Sequence, residues 1–129
     1  MRILLDTCTF LWAASTFENL SLAAQKLFAD ADNEIFLSVV SSWEIAIKYA
    51  SGKLHLSEPP SKFMPAGRER YGITSLPLDE ESAVYVPRLP RLHADPFDRM
   101  LICQSIVHGL AILTPDESIT QYTVRTIWL

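Results

Sequence analysis

The chain has 129 residues, so it accommodates one compact domain around one core and leaves no room for a second of ordinary size. Hydrophobic residues make up 49% and charged residues 20%, a globular composition that excludes intrinsic disorder. Fifteen acidic against eleven basic side chains give a net charge of -4, which argues against a protein that holds nucleic acid mainly by bulk positive charge.

The cations are unevenly spread: residues 1–45 carry two basic and six acidic side chains, residues 46–99 eight basic and seven acidic, which allows a local basic rim. Mean hydropathy is +0.15, so a domain this small is expected to expose apolar side chains that an oligomer or an obligate partner covers. Cys8 and Cys103 form no CxxC pair, which indicates neither a disulfide framework nor a structural zinc site and fits a reducing cytoplasm. The opening MRILLDTCTFLWAAS has the look of a signal peptide, but Asp6 interrupts an apolar run already too short to span a bilayer. A soluble, unprocessed chain is expected.

In chain order, Arg2 to Leu5 reads as a short buried strand, and a helical segment rich in Leu, Trp and Ala follows it. A helix is predicted over residues 21–31, with Leu22, Ala23, Leu27 and Phe28 on one face, and a second strand over residues 34–40. The stretch SSWEIAIKYASGKL opens on serine capping candidates, places Trp43, Ile47 and Ala50 on one face, and ends at Gly52. Pro59, Pro60 and Pro65 punctuate PPSKFMPAGRERYGI and leave most of it unassigned, but residues 71–77 resemble a third strand. Residues 79–86 read as a helix closed off by Pro87 and Pro90. PFDRMLICQSIVHG starts a helix at Pro96 and stops it at Gly109, and LAILT and TVRTIW follow as the last strands. This alternation implies parallel strands joined by right-handed helical crossovers. The expected fold is α/β, a single-domain α/β/α sandwich around a central parallel sheet.

Four acids stand out. Asp6 directly follows the apolar strand ILL, and Asp116 follows AILT by two residues; both lie at carboxyl ends of strands, where open parallel sheets bind their ligands. Glu44 and Asp98 are each placed in the first turn of an apolar helix. Taken singly, each has an ordinary explanation: Asp6 and Asp116 as helix caps, Glu44 and Asp98 as complements to a helix dipole worth about 0.3–1 kcal/mol. Taken together, four converging carboxylates repel one another and call for a cation, and an all-oxygen set suits Mg²⁺ or Mn²⁺ better than zinc.

Other candidates are weaker. His55, His93 and His108 show no metal spacing, and His93 reads as a loop or helix-start contact beside Asp95 rather than as a base. Neither Cys8 nor Cys103 has a partner in sequence for nucleophilic catalysis, and Cys103 falls on an apolar helix face. The four glycines are scattered, which excludes a phosphate-binding loop. Trp12, Trp43 and Trp128 read as core or interface residues.

The blocks ILLDTCTFLW, SSWEIAIKYASGKL, LHADPFDRMLICQS and ILTPDESITQY resemble the signature blocks of PIN-domain proteins, in particular the VapC-like ribonuclease toxins of bacterial toxin–antitoxin pairs. The likeness spans nearly the whole chain, so residues 1–129 would form one PIN-like domain. By this resemblance Asp6, Glu44, Asp98 and Asp116 match the family's acidic metal site, while Asp95 is a helix-start residue of the same motif. It implies an Mg²⁺-dependent endoribonuclease, a homodimer, and an antitoxin that covers the site. Asp6 and Asp98 would be direct ligands, with Glu44 and Asp116 completing the cluster through water or a second ion. Lys48 and Arg99 are candidate contacts to RNA phosphate, each equally readable as a surface cation. Two other classes remain open: a metal-dependent hydrolase of small phosphate esters, and a binding module that has lost turnover.

Overall fold

The computed structural model describes residues 1–128. In chain order the elements are β1 (Arg2–Leu5), α1 (Thr7–Ser15), a 3₁₀ turn (Phe17–Asn19), α2 (Leu22–Ala29), β2 (Glu34–Ser38), α3 (Val39–Ala50) and α4 (Pro60–Tyr71). They continue with β3 (Thr74–Leu76), α5 (Glu80–Val84), a second 3₁₀ turn (Val86–Arg88), α6 (Pro96–His108), β4 (Ala111–Leu113), α7 (Glu117–Thr120) and β5 (Thr126–Ile127). The strands form one sheet in the order β3-β2-β1-β4-β5, and every pairing is parallel. Leu5 pairs with Leu113 and Ser38 with Leu76, so the carboxyl ends of these four strands share one edge.

Period-two alternation divides β1 between two cores. Ile3 and Leu5 pack with Phe10, Ala24, Phe63 and Met64 on the side of α1, α2 and α4. Leu4 faces Leu101, Ile102 and Ile119 on the side of α6 and α7. Apolar burial on both faces is what a parallel sheet with helical crossovers requires, and it yields the expected α/β/α layering. Helix α3 begins directly at the carboxyl end of β2 and touches α1, α4 and α6.

Several boundaries differ from the sequence expectation. Ser38, the last strand residue, accepts from the Val40 N–H at 3.0 Å, so α3 starts at Val39 and the serines at 41 and 42 are already inside it. Glu44 consequently stands in the second turn of α3, not the first. The face predicted from Trp43, Ile47 and Ala50 points outward, with Trp43 61% and Ile47 42% exposed, while Val40, Ser41, Glu44 and Ile45 are buried. In α2, Leu22 is exposed and Ala24 is the buried residue.

The stretch punctuated by proline is a full helix, α4. Pro60 occupies its first position, where a missing N–H is tolerated, and Gly72 closes it in the left-handed region at φ 63°. Pro65 lies within it, a local penalty outweighed by burial of Phe63 and Met64. A Cβ on Gly67 would stand 2.8 Å from Phe10 Cζ, so glycine lets α4 lie against α1. Trp12 and Trp128 pack on one another, centroids 5.9 Å apart, at the margin of the first core. Among the described residues no helix is long and apolar enough to cross a membrane.

Candidate metal centre

Asp6 is the first residue beyond β1 and the N-cap of α1. Its Oδ1 accepts from the Thr9 N–H at 2.7 Å and its Oδ2 from the Thr114 hydroxyl at 2.5 Å. Thr114, the first residue beyond β4, also accepts from the Asp116 N–H at 3.0 Å, so one hydroxyl ties together the acids of two neighbouring strand ends. Asp116 caps α7 through the Ser118 N–H at 2.9 Å. Both strand-end acids therefore do serve as caps. Yet Asp6 is only 3% exposed, and that burial pushes its pKa up; bonds from Thr114 and Thr9 oppose the shift and the charge of Asp116 adds to it.

Glu44 is 4% exposed. Its Oε1 accepts from the Thr7 hydroxyl at 2.7 Å, and Thr7 also contacts the Ser41 hydroxyl at 2.9 Å. Its Oε2 accepts from Lys48 Nζ one turn on, at 2.5 Å. That bond, with the charges of Glu44, Asp95 and Asp98, raises the pKa of Lys48 against the opposing effect of burial, and keeps the ammonium charged.

Asp98 lies in the first turn of α6, as expected, and Asp95 caps that helix by accepting from the N–H groups of Phe97 at 2.8 Å and Asp98 at 3.3 Å. His93 Nε2 stands 2.9 Å from Asp98 Oδ2. Burial pushes the Asp98 carboxyl up to about 6; the His93 bond opposes the shift, while Asp95 and Glu44 reinforce it.

All four acids act electrostatically on Cys8. Its thiol is pushed up to about 11, first by burial and then by the charges of Asp6, Asp116, Glu44 and Asp98. A thiol so placed stays protonated, which removes it as a nucleophile. The four carboxylates do not close into a tight cluster. Among the described residues, the group of ligand-type side chains whose donor atoms all lie within 4.8 Å of one another is His93, Asp95 and Asp98. The wider spacing has a local cause: Asp6, Glu44 and Asp116 are each tethered by donors of their own.

The donor set fits a hard divalent cation. It offers carboxylate oxygens that keep lone pairs beyond those already bonded, and two carboxyls held above their ordinary range by burial that a bound positive charge would relieve. Lys48 is held at this site by its pairing with Glu44. Arg99 is differently employed: its Nη1 donates to the carbonyls of Pro90 at 2.9 Å and His93 at 3.4 Å and to Tyr122 Oη at 3.2 Å, which makes it a clamp on the 89–93 loop and not an outward phosphate contact. The same loop borders a hollow of about 560 Å³ lined by Val86, Arg91, Leu92, His93, Ala94 and Arg99.

Sequence reasoning missed Thr7, Thr114, His93 and Tyr122 as parts of this site. A hydroxyl directly after one strand-end acid, in LLDT, and another two residues before the second, in TPD, were the available signal for the threonines.

A parallel sandwich that brings carboxylates from two strand ends and two helices to its carboxyl edge defines the class. The family comparison agrees: the PIN domain model matches residues 3–124, and the chain belongs to that family. Its curated relatives are VapC-type proteins. Ribonuclease VapC22 of Mycobacterium tuberculosis is 27% identical over 123 residues, covering 93% of this chain and 91% of that protein. Ribonuclease VapC16 of the same organism is 44% identical over 50 residues, which cover 39% of this chain and only 36% of that relative's length. VapBC2 from Rickettsia felis, solved bound to a promoter DNA fragment, matches at TM-score 0.76 and 15% identity over the whole of both chains. DNA-bound VapBC from Salmonella typhimurium matches at 0.70 and 14%, covering 98% of this chain and 97% of that one. At such identities these structures establish the fold.

Proposed function

We propose that this protein is an Mg²⁺-dependent endoribonuclease, the toxin of a toxin–antitoxin pair, acting in the cytoplasm as a single PIN-like unit that pairs into a homodimer. One observation carries the reading: Asp6 and Asp116, at the carboxyl ends of neighbouring strands, share the Thr114 hydroxyl, and Glu44 is bonded to Thr7 directly after Asp6, in a chain whose relatives are named ribonucleases.

Asp6, at the sheet edge, and Asp98, at a helix start, are the direct ligands; Asp98 has an oxygen, Oδ1, that no described protein donor engages. Glu44 and Asp116 complete the site from opposite sides, through water or a second ion. When bound, Mg²⁺ or Mn²⁺ supplies a water of lowered pKa and neutralises charge on the scissile phosphate. Thr114 and Thr7 fix the orientation of Asp6 and Glu44, and Lys48 places a cation where the RNA backbone would pass. The exposed Val39, Trp43 and Ile47 of α3 support a second copy as the cover for that face. Among the similar solved structures are VapBC proteins, one of them, from Mycobacterium tuberculosis, a member of a family of toxin–antitoxin systems, which supports an antitoxin partner.

The test is incubation of the purified protein with RNA and with a generic phosphate ester, each with Mg²⁺, with Mn²⁺ and with EDTA. Metal-dependent cleavage of RNA alone supports the proposal. Turnover of the ester without RNA cleavage indicates the small-ester hydrolase, and no turnover of either indicates a binding module. Light scattering in the same preparation checks the dimer, which a mass near the 14.5 kDa monomer would contradict.

A further inference from the structure

The loop before α6 carries contacts that helix capping does not need. Asp95 alone caps the helix through its Oδ1. Yet the backbone of His93 is fastened on both sides: its N–H donates to Tyr122 Oη at 2.9 Å, and its carbonyl accepts from Arg99 Nη1 at 3.4 Å. The two fasteners meet, since Arg99 Nη1 also reaches Tyr122 Oη at 3.2 Å. Tyr122 is buried and comes from beyond α7, so two separate elements converge on one loop residue.

What this strap fixes is the imidazole. Its Nε2 stands 2.9 Å from Asp98 Oδ2, and an ionised carboxylate oxygen can only accept, so Nε2 carries the hydrogen and one side of Asp98 is engaged. The opposite oxygen has no described protein donor. A carboxylate bonded this way is restricted in its rotation before any ligand arrives, and outer contacts of that kind commonly govern metal affinity.

We propose that His93 is a positioning residue for Asp98: the Arg99–Tyr122 strap holds the imidazole, and the imidazole orients the carboxylate toward a divalent cation. The inference rests on the metal-centre reading above. His93 acts through Asp98 and does not itself bind the ion.

Calorimetric titration of Mg²⁺ into metal-free protein tests it, with wild type, His93→Ala, His93→Gln, Tyr122→Phe and the Tyr122→Phe/His93→Ala double variant. The glutamine amide nitrogen replaces Nε2 as donor. His93→Ala is expected to weaken Mg²⁺ binding about tenfold, with His93→Gln staying within about threefold of wild type. Tyr122→Phe is expected to weaken it about threefold in wild type and to add nothing in His93→Ala, because its effect passes through His93. Melting of each variant in EDTA identifies any that fails to fold, and His93→Gln against wild type then still decides the matter. Unchanged affinity in folded His93→Ala, a glutamine variant as weak as alanine, or additive effects of Tyr122→Phe would each overturn the inference; the second result would make the imidazole itself a ligand. Wild type that binds no Mg²⁺ overturns the metal-centre reading, whereas binding that is indifferent to residue 93 overturns only the inference.

Discussion

Helix α6 has a histidine–aspartate pair at each end. At its start His93 Nε2 lies 2.9 Å from Asp98 Oδ2; at its end His108 Nε2 lies 2.7 Å from Asp79 Oδ1. The contacts are nearly alike, but the carboxyls respond in opposite directions. Burial pushes both up. At Asp79 the bonds from His108 and from the Ser82 hydroxyl and N–H prevail and hold the carboxyl well below the usual range. At Asp98 burial prevails over the His93 bond, and Asp95 and Glu44 add like charge, so the carboxyl stands at about 6. An aspartate–histidine contact alone therefore says little about function; what marks Asp98 is its own burial and the company of other acids, Asp95 and Glu44.

The largest expected effect separates the two pairs by activity. Asp98→Asn should lower Mg²⁺-dependent RNA cleavage by more than about a hundredfold, because it removes a ligand and its charge compensation. Asp79→Asn should leave the rate within about twofold, since no part of the site depends on it. Equal losses in gel-based cleavage assays would erase the distinction drawn between the two ends of α6.

A second contrast concerns stability. Because a cation that binds only the folded state stabilises it by mass action, Mg²⁺ at about a hundred times its Kd should add roughly 2.7 kcal/mol. Thermal melts at constant ionic strength should show that increment in wild type and Asp79→Asn and lose most of it in Asp98→Asn. In EDTA, Asp98→Asn should be no less stable than wild type, as it removes a carboxylate that burial and like charge already disfavour. A less stable variant with an intact Mg²⁺ response would make Asp98 a structural helix-start residue.

The smallest effect is a difference in pH dependence. Between roughly pH 4 and 6 folded metal-free protein keeps a proton on Asp98 that the unfolded chain has released, so unfolding free energy falls as pH rises through that window, by about 1–2 kcal/mol after allowance for partial exposure. Asp6, also raised, adds in the same sense. Asp79 works the other way: its stabilisation is present above about pH 4 and is lost as pH falls. Urea unfolding in EDTA should show Asp98→Asn flattening the first slope and Asp79→Asn the second.

What could be read from the sequence follows from what acts locally. Strand ends at Leu5 and Leu113 are announced by apolar runs, so Asp6 and Asp116 could be placed at the sheet edge, and Pro96 and Gly109 bracket α6 by backbone preferences of their own. Glu44 was assigned to the right helix but the wrong turn, because the cap is Ser38 at the end of a strand and two valines that suit a strand open the helix. Helix α4 was hidden by Pro65, whose penalty is offset by tertiary burial of Phe63 and Met64. The tethering of the acids was not legible either: Thr114 reaches Asp6, and Tyr122 reaches His93, only after the chain has folded.

The account rests on a divalent cation sitting at the carboxyl edge between Asp6 and Asp98. Anomalous scattering from Mn²⁺-soaked crystals tests this most directly. The predicted result is a peak in contact with carboxylate oxygens of Asp6 and Asp98, facing Glu44 and Asp116, and none at the His108–Asp79 pair. No peak at that edge under saturating Mn²⁺, or one only at the far end of α6, would contradict it.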